Sequence, residues 1–360
     1  MEIQVEFEEQ RGYGRFFTNI NKVANMKFQK KFELFYNSQL KPKLMELEQQ
    51  RQFIAKKLIQ LIFSSVILLV LLPLVAAIIV NKNIVTEESL GWIFLPVVVI
   101  VMIIIGHTIK FYNLIISPYR KNFKQKIISN IVSLIDKNLI YVADKKIAFE
   151  EFNTSELFKG FSAIKWAGED YVEGTLGETM VKFSEIHAEN EITNEEGNAE
   201  HHTIFKGLLY IFNLHLDFKG VTLVLPNIAE QCLGSCGRWL QPLENKAIGG
   251  KLISLEDPEV EQEFVVYSDH PIMAHYVISI NFMRRLLAFR KRLKRKVLLS
   301  FVDGKVYMAI CAKKDLFEPP IFRTVLNIML ISEYYEYLHL GKEIVEELTI
   351  YLNDPVQFYS

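Results

Sequence analysis

Two uninterrupted apolar runs constrain this chain more than any other feature. Leu58–Val80 reads LIQLIFSSVILLVLLPLVAAIIV, with Gln60 its only strongly polar side chain. Leu90–Ile109 reads LGWIFLPVVVIVMIIIGHTI and carries no formal charge. A helix rises about 1.5 Å per residue, so about 20 residues cross a hydrocarbon core of about 30 Å. Backbone amides in lipid must pair within their own segment, so each run is expected to be a helix. Buried core helices of this length would carry a polar face, and these do not. The first run begins after 57 residues with no small-residue cleavage site behind it, so it does not read as a cleaved leader.

The charges give the hairpin a direction. Net charge is −1 over 360 residues, but residues 1–57 carry +4, the loop 81–89 carries −1 and residues 110–126 carry +5. Lys56 and Lys57 precede the first run; Lys110, Arg120, Lys121, Lys124 and Lys126 follow the second. Lys and Arg near span ends stay on the cytoplasmic side. Both termini are therefore expected in the cytoplasm of a bacterial inner membrane, with Lys82, Glu87 and Glu88 outside. The expected division is a helical segment at 1–57, a transmembrane hairpin at 58–109 (helices 58–80 and 90–109) and a cytosolic domain at 110–360. The three cysteines, Cys232, Cys236 and Cys311, fall in that last part, where reduced thiols are the default.

The cytosolic part reads as α+β, with a mainly antiparallel sheet and flanking helices. Before the first span, FYNSQLKPKLMELEQQRQFIAKKL places Leu44, Leu47 and Ile54 at helical spacing and should run straight into it. Helix is expected again over 127–160, broken by a short strand near Ile140–Ala143. Tyr171–Leu176 and Thr179–Ala188 should pair as a hairpin turning at Gly177, followed by an acidic loop over 190–202. Leu208–Phe218 alternates with period two, which predicts a strand with one buried face. Gly220 should turn the chain into Val221–Leu225. Residues 227–250 read as loop or short helix, and Leu252–Leu255 and Phe264–Tyr267 as strands. One helix should then run from a cap at Ser268 or Asp269, through Pro271, to about Leu293. Asp303-Gly304 is a type I′ turn signal between Lys296–Val302 and Lys305–Cys311. A helix should close the chain over Ile321–Leu352, with a break at Gly341.

The sharpest local feature is RRLLAFRKRLKRK at 284–296, eight bases and no acid. At 100° per residue, Phe282, Leu286, Phe289 and Leu293 share a face, with Met283 and Leu287 at its edge. Arg284, Arg285, Lys291, Arg292 and Arg295 fall opposite, as candidate lipid- or partner-binding residues. The pattern admits a packed helix with a solvated basic face, a face set against an anionic leaflet, or a nucleic-acid surface. The −9 carried by residues 127–360 disfavours the last. Cys232 and Cys236, with His201 and His202 thirty residues earlier, match no tight zinc pattern. Gly249-Gly250-Lys251 lacks the remaining residues of a phosphate loop. His107, at the inner end of the second run, reads as an interfacial side chain. No cofactor, metal site or catalytic constellation is expected.

Four segments in order carry a family resemblance: EDYVEGTLGETMVKFSEIHAE, TIFKGLLYIFNLHLDFKGVTLVLPN, LEDPEVEQEFVVYSDHPIMAHYVIS and LLSFVDGKVYMAICAKKDLFEP. They resemble the uncharacterised bacterial membrane family catalogued as domain of unknown function 3137, as does FYNSQLKPKLMELEQQR near the start. The resemblance spans most of residues 35–320. It implies two membrane helices and a cytosolic domain, and brings no catalytic residues. Where that family shows Ala-Arg-Tyr, this chain has Ala274-His275-Tyr276. The expected function is a membrane-anchored, non-enzymatic binding or scaffold domain that contacts the bilayer, a protein partner or its own copies. The alternatives are an enzyme or small-ligand sensor with its site in the 170–310 sheet region, and a subunit of an oligomeric membrane complex.

Overall fold

The computed structural model describes residues 30, 32–81, 90–159, 165–193, 197–214, 218–227 and 250–352. These form two compact units: residues 30–127 with 319–332, and residues 128–318 with 333–352.

The first unit is helical. Helix α1, Lys41–Asn81, follows one wide π turn at Tyr36–Leu40 and continues without a break from the charged segment into the first apolar run, as expected. Leu40, Leu44, Leu47 and Ile54 are all buried on one side of it. Helix α2, Leu90–Phe111, covers the second apolar run. A π turn at Tyr112–Ile116 then leads into α3, Ser117–Phe123. Pro118 lacks an N–H, and the wider turn absorbs that lost bond while the helical path goes on. Ile116, Tyr119, Phe123 and Ile127, spaced three and four residues apart, are buried in turn.

A buried polar lock fastens residues 319–327 to α1. Glu48 accepts from Arg51 Nε at 2.9 Å and Nη2 at 2.7 Å, from the Val325 amide at 3.0 Å and from Thr324 Oγ1 at 3.1 Å. Arg51 Nη1 donates to the Ile321 carbonyl at 2.7 Å, and the Tyr36 hydroxyl to that of Leu326, also at 2.7 Å. The chain over 321–327 is therefore not the helix expected there. Its Ile321, Val325 and Leu326 backbone groups are committed to Arg51, Glu48 and Tyr36, and Asn327 caps the last helix, accepting from the Met329 amide.

The second unit is built on a nine-stranded sheet, entirely antiparallel, in the order β1-β2-β3-β4-β9-β8-β5-β7-β6. The strands are β1 Ile140–Val142, β2 Lys165–Leu176, β3 Thr179–Thr193, β4 Ala199–Asn213, β5 Val221–Pro226, β6 Lys251–Ile253, β7 Phe264–Ser268, β8 Val297–Val302 and β9 Lys305–Cys311. The helices are α4 Ser129–Ile135, α5 Phe149–Thr154, α6 Pro258–Glu263, α7 Pro271–Val277, α8 Ile280–Leu293 and α9 Ile328–Leu352, the last beginning in the first unit. The expected antiparallel α+β class holds. Asp303 (φ 45°) and Gly304 (φ 77°) are both left-handed, as the type I′ turn requires.

Four local expectations are corrected. The acidic loop is instead the far end of a long hairpin: β3 runs to Thr193 and β4 starts at Ala199, with Glu191 paired to His201. A ladder satisfies its backbone bonds whether or not a core covers it, so polar residues extend it into solvent. Strand β4 is buried on both faces. Phe205, Leu209 and Ile211 join Phe152, Phe158, Leu298 and Tyr307 on one side. On the other, Tyr210 stacks with Phe212 and packs at a tilt against Phe183, and its hydroxyl donates to the Tyr337 carbonyl of α9. Gly341 does not break α9: a Cβ there would stand 3.1 Å from Cε1 of Tyr210, so the glycine permits close approach. The single helix over 271–293 is two, because Ser279 leaves the helical region and caps α8, its hydroxyl accepting from the Phe282 amide at 3.2 Å.

Candidate functional site

Helix α8 has the amphipathic geometry expected from its sequence. Phe282, Met283, Leu286, Leu287 and Phe289 are buried, and Arg284, Arg285, Lys291 and Arg292 are exposed. The helix stops at Leu293, where Lys294 turns left-handed (φ 52°), so Arg295 stands beyond it, half-buried, its Nε donating to the Tyr337 hydroxyl at 3.3 Å. The bases are not bare. Helix α6 lies alongside, and its acids interleave: Arg284 pairs with Asp257, Arg290 with Glu263 and Lys291 with Glu259. Arg292 pairs with Glu343 of α9 at 2.6 Å.

The acids respond to this setting. The Arg284 guanidinium holds the Asp257 carboxyl below its usual range, helped by the Glu259 and Val260 amides that Asp257 caps. Burial pushes Glu343 up, but His339 and Arg292 outweigh it and leave the carboxyl lowered. The outcome is a surface of alternating sign, built from residues about 30 or 50 positions apart in sequence. Helical periodicity could expose the bases but not their partners.

Beside this surface, the turn before α6 and the α7–α8 junction enclose a pocket of about 230 Å³. Ser254, Glu256, His275, Ser279 and Asn281 supply its polar lining. Drug-sized ligands occupy pockets of about 300–1,000 Å³, so this one is small. His275, the position where the chain departs from the resemblance, lies on its wall.

A second constellation escaped the sequence reading. Glu169, Asp170 and Glu185 bring three carboxylate oxygens within 4.8 Å of one another. Asp170 and Glu185 are buried, and Asp170 is left-handed (φ 58°) at a bulge in β2. The Tyr141 hydroxyl donates to Asp170 Oδ1, and the Leu316 amide to Glu185 Oε2 at 2.9 Å. Burial raises the Glu185 carboxyl to about 8 against the lowering by the Leu316 amide, with Asp170, Asp315 and Glu169 adding to the rise. Glu185 therefore keeps its proton at neutral pH. The available signal was parity: Glu185 shares alternation with buried Val181 and Phe183, so an acid stands at an inward position.

Cys232 and Cys236 lie outside the described residues, while His201 and His202 sit on the outer end of β4. Cys311 is buried. In the second apolar run His107 is exposed on α2.

Among the described residues, one helical run, Val98–Ile135, is long and apolar enough to cross a membrane, and only 6% of its most apolar window is buried. The described part of the first run is exposed as well, at Ile59, Ile62, Phe63, Val66, Ile67, Val70 and Leu71.

The family described as Protein of unknown function (DUF3137) matches residues 203–350, less than half of the chain. That range takes in the last three of the four resembling segments and leaves out the first. No curated protein sequence matches the chain. Among solved structures it is similar to the mycobacterial trehalose monomycolate transport factor A, TtfA, with 9% sequence identity and a TM-score of 0.29. That likeness covers 60% of this chain and 92% of that one.

Proposed function

We propose that the protein is a membrane-anchored binding or scaffold protein of the bacterial plasma membrane. The segments 58–80 and 90–109 form its two-helix anchor, both termini lie in the cytoplasm, and the sheet unit engages a protein partner. The observation that carries the anchor is the exposure of the apolar side chains at 59–71 and 98–109, which water would not tolerate over such lengths. The excess of Lys and Arg at 56–57 and 110–126 supports the orientation.

The face offered to the partner is that of α8, with Arg284, Arg285, Lys291, Arg292 and Arg295. Asp257, Glu259 and Glu343 interleave there, and a uniformly anionic leaflet would repel those acids while attracting the bases. A protein surface can answer both signs. Exposed ion pairs contribute only about 0–1 kcal/mol each, so their members can exchange partners at little cost.

Two measurements test this reading. In a chain carrying Ser89→Cys with its native cysteines replaced by Ala, a membrane-impermeant maleimide should label intact cells. Ser360→Cys in the same background should react only after permeabilisation, and the reverse pattern overturns the orientation. Proximity labelling from the full chain in cells should recover a defined partner that is lost on reversing Arg284, Arg285, Arg292 and Arg295 to Glu. Retention of every neighbour in that variant removes α8 as the binding face.

A further inference from the structure

Within the helical unit, α1 and the run Tyr112–Phe123 leave a groove of about 500 Å³ between them. Its walls include Gln49, Phe53 and Ile54 on one side, and Ile115, Tyr119 and Asn122 on the other. We propose that this groove binds one phospholipid of the inner leaflet, selected for an anionic headgroup. The inference rests on the anchor reading above and adds to it a specific lipid site.

Position is the first argument. Phe53 precedes the first apolar run by five residues, and Ile115 follows the second by six. At 1.5 Å per residue both stand about 8–9 Å beyond the hydrocarbon, at headgroup depth. The two walls face the same groove, so they belong to the same side of the bilayer. A groove at this depth opens onto lipid, and lipid is its adjacent solvent.

Lining chemistry is the second. Phe53 is 54% exposed, an aromatic left at the interface, and Ile54 and Ile115 give the groove an apolar floor for the glycerol and first methylenes. Gln49, Gln50 and Asn122 bring amide donors suited to phosphate and ester oxygens, and no carboxylate lines the groove.

Charge is the third. Between the groove and the apolar runs stand Lys56, Lys57 and Lys110, all exposed. The Lys57 ammonium lies 5.9 Å from the Phe53 ring centroid, which keeps it at the groove mouth. Cations at the cytoplasmic ends of membrane helices, with a pocket between those helices, are the arrangement that holds anionic headgroups. A zwitterionic headgroup adds its own cation beside the lysines, so selectivity should follow net headgroup charge.

The test uses the full chain in detergent micelles, titrated with phosphatidylglycerol or with phosphatidylcholine of the same acyl chains, and read by native mass spectrometry. The wild type should hold one phosphatidylglycerol at least about tenfold more tightly than phosphatidylcholine. Replacing Lys56, Lys57 and Lys110 by Gln should abolish that preference, and these surface changes leave the packed seam intact. Ile115→Trp should fill the groove and remove the tight site for both lipids, its melting curve confirming that the helices still fold. Equal binding of the two lipids by the wild type, or an unchanged preference in the lysine variant, overturns the proposal. Carbonate extraction separates the two readings. A chain that stays in membranes yet shows no lipid preference refutes the groove alone, while a chain released by carbonate refutes the anchor and the groove together.

Discussion

Among the described residues each unit buries one glutamate, and the two behave in opposite ways. Glu48 in the helical unit is drawn down to about 2, because Arg51 and the Val325 amide donate to its charged form and outweigh burial. Glu185 in the sheet unit is pushed up to about 8, because burial and the neighbouring acids outweigh one donated amide. Burial is common to both, so it does not set the protonation state. What differs is whether the sequence supplies a cation at the same depth. The helical unit is locked by a charge, and the sheet unit is filled by apolar side chains around a neutral carboxyl.

The comparison breaks most sharply at Glu48. Glu48→Ala leaves the largely buried Arg51 guanidinium without its carboxylate partner, and should destabilise the helical unit by about 3 kcal/mol. Loss of protection at the Val325 amide in hydrogen exchange on the full chain would report it, and unchanged protection would mean that Glu48 does not hold 319–327 in place. The lowered carboxyl also fixes a pH sign. Its contribution is complete above the ordinary glutamate value of 4.5 and is lost as pH falls towards about 2, so this unit should loosen in acid.

Glu185 should show the opposite sign. Its folded value lies above 4.5, so stability is complete below that pH and is lost as pH rises through about 8. Glu185→Gln should therefore be close to neutral at pH 5 and stabilising above pH 8 by on the order of 2 kcal/mol. Melting of wild type and variant at both pH values measures this. Parallel curves would place an ionised Glu185 in the neutral-pH fold and collapse the contrast with Glu48. The smallest effect belongs to the cap of α8. Ser279→Ala removes the acceptor for the Phe282 amide and should cost about 1 kcal/mol, read in the same melts.

What the sequence revealed and what it hid divide along the range of the interactions involved. The two apolar runs, the Asp303-Gly304 turn and the apolar stripe of α8 depend on neighbours within a few residues, and composition and period expose them directly. The split at Ser279 is also local, but a serine inside a periodic stretch is ambiguous until the chain is seen to leave the helical region at Ile278. The two-sided burial of β4 was hidden because a central strand owes its second face to α9, more than a hundred residues later. The charged lock at Glu48 joins residues separated by about 270 positions, and the carboxylate cluster draws on two strands and the segment after β9. Nothing in one stretch of chain announces such pairings.

Residues 319–332 belong to the helical unit although the chain on either side of them belongs to the sheet unit. The backbone therefore passes between the units three times, after Ile127, after Glu318 and after Ser332. A fragment that begins after Ile127 would carry the Thr324–Leu326 stretch away from Glu48 and Tyr36, the side chains that shape it.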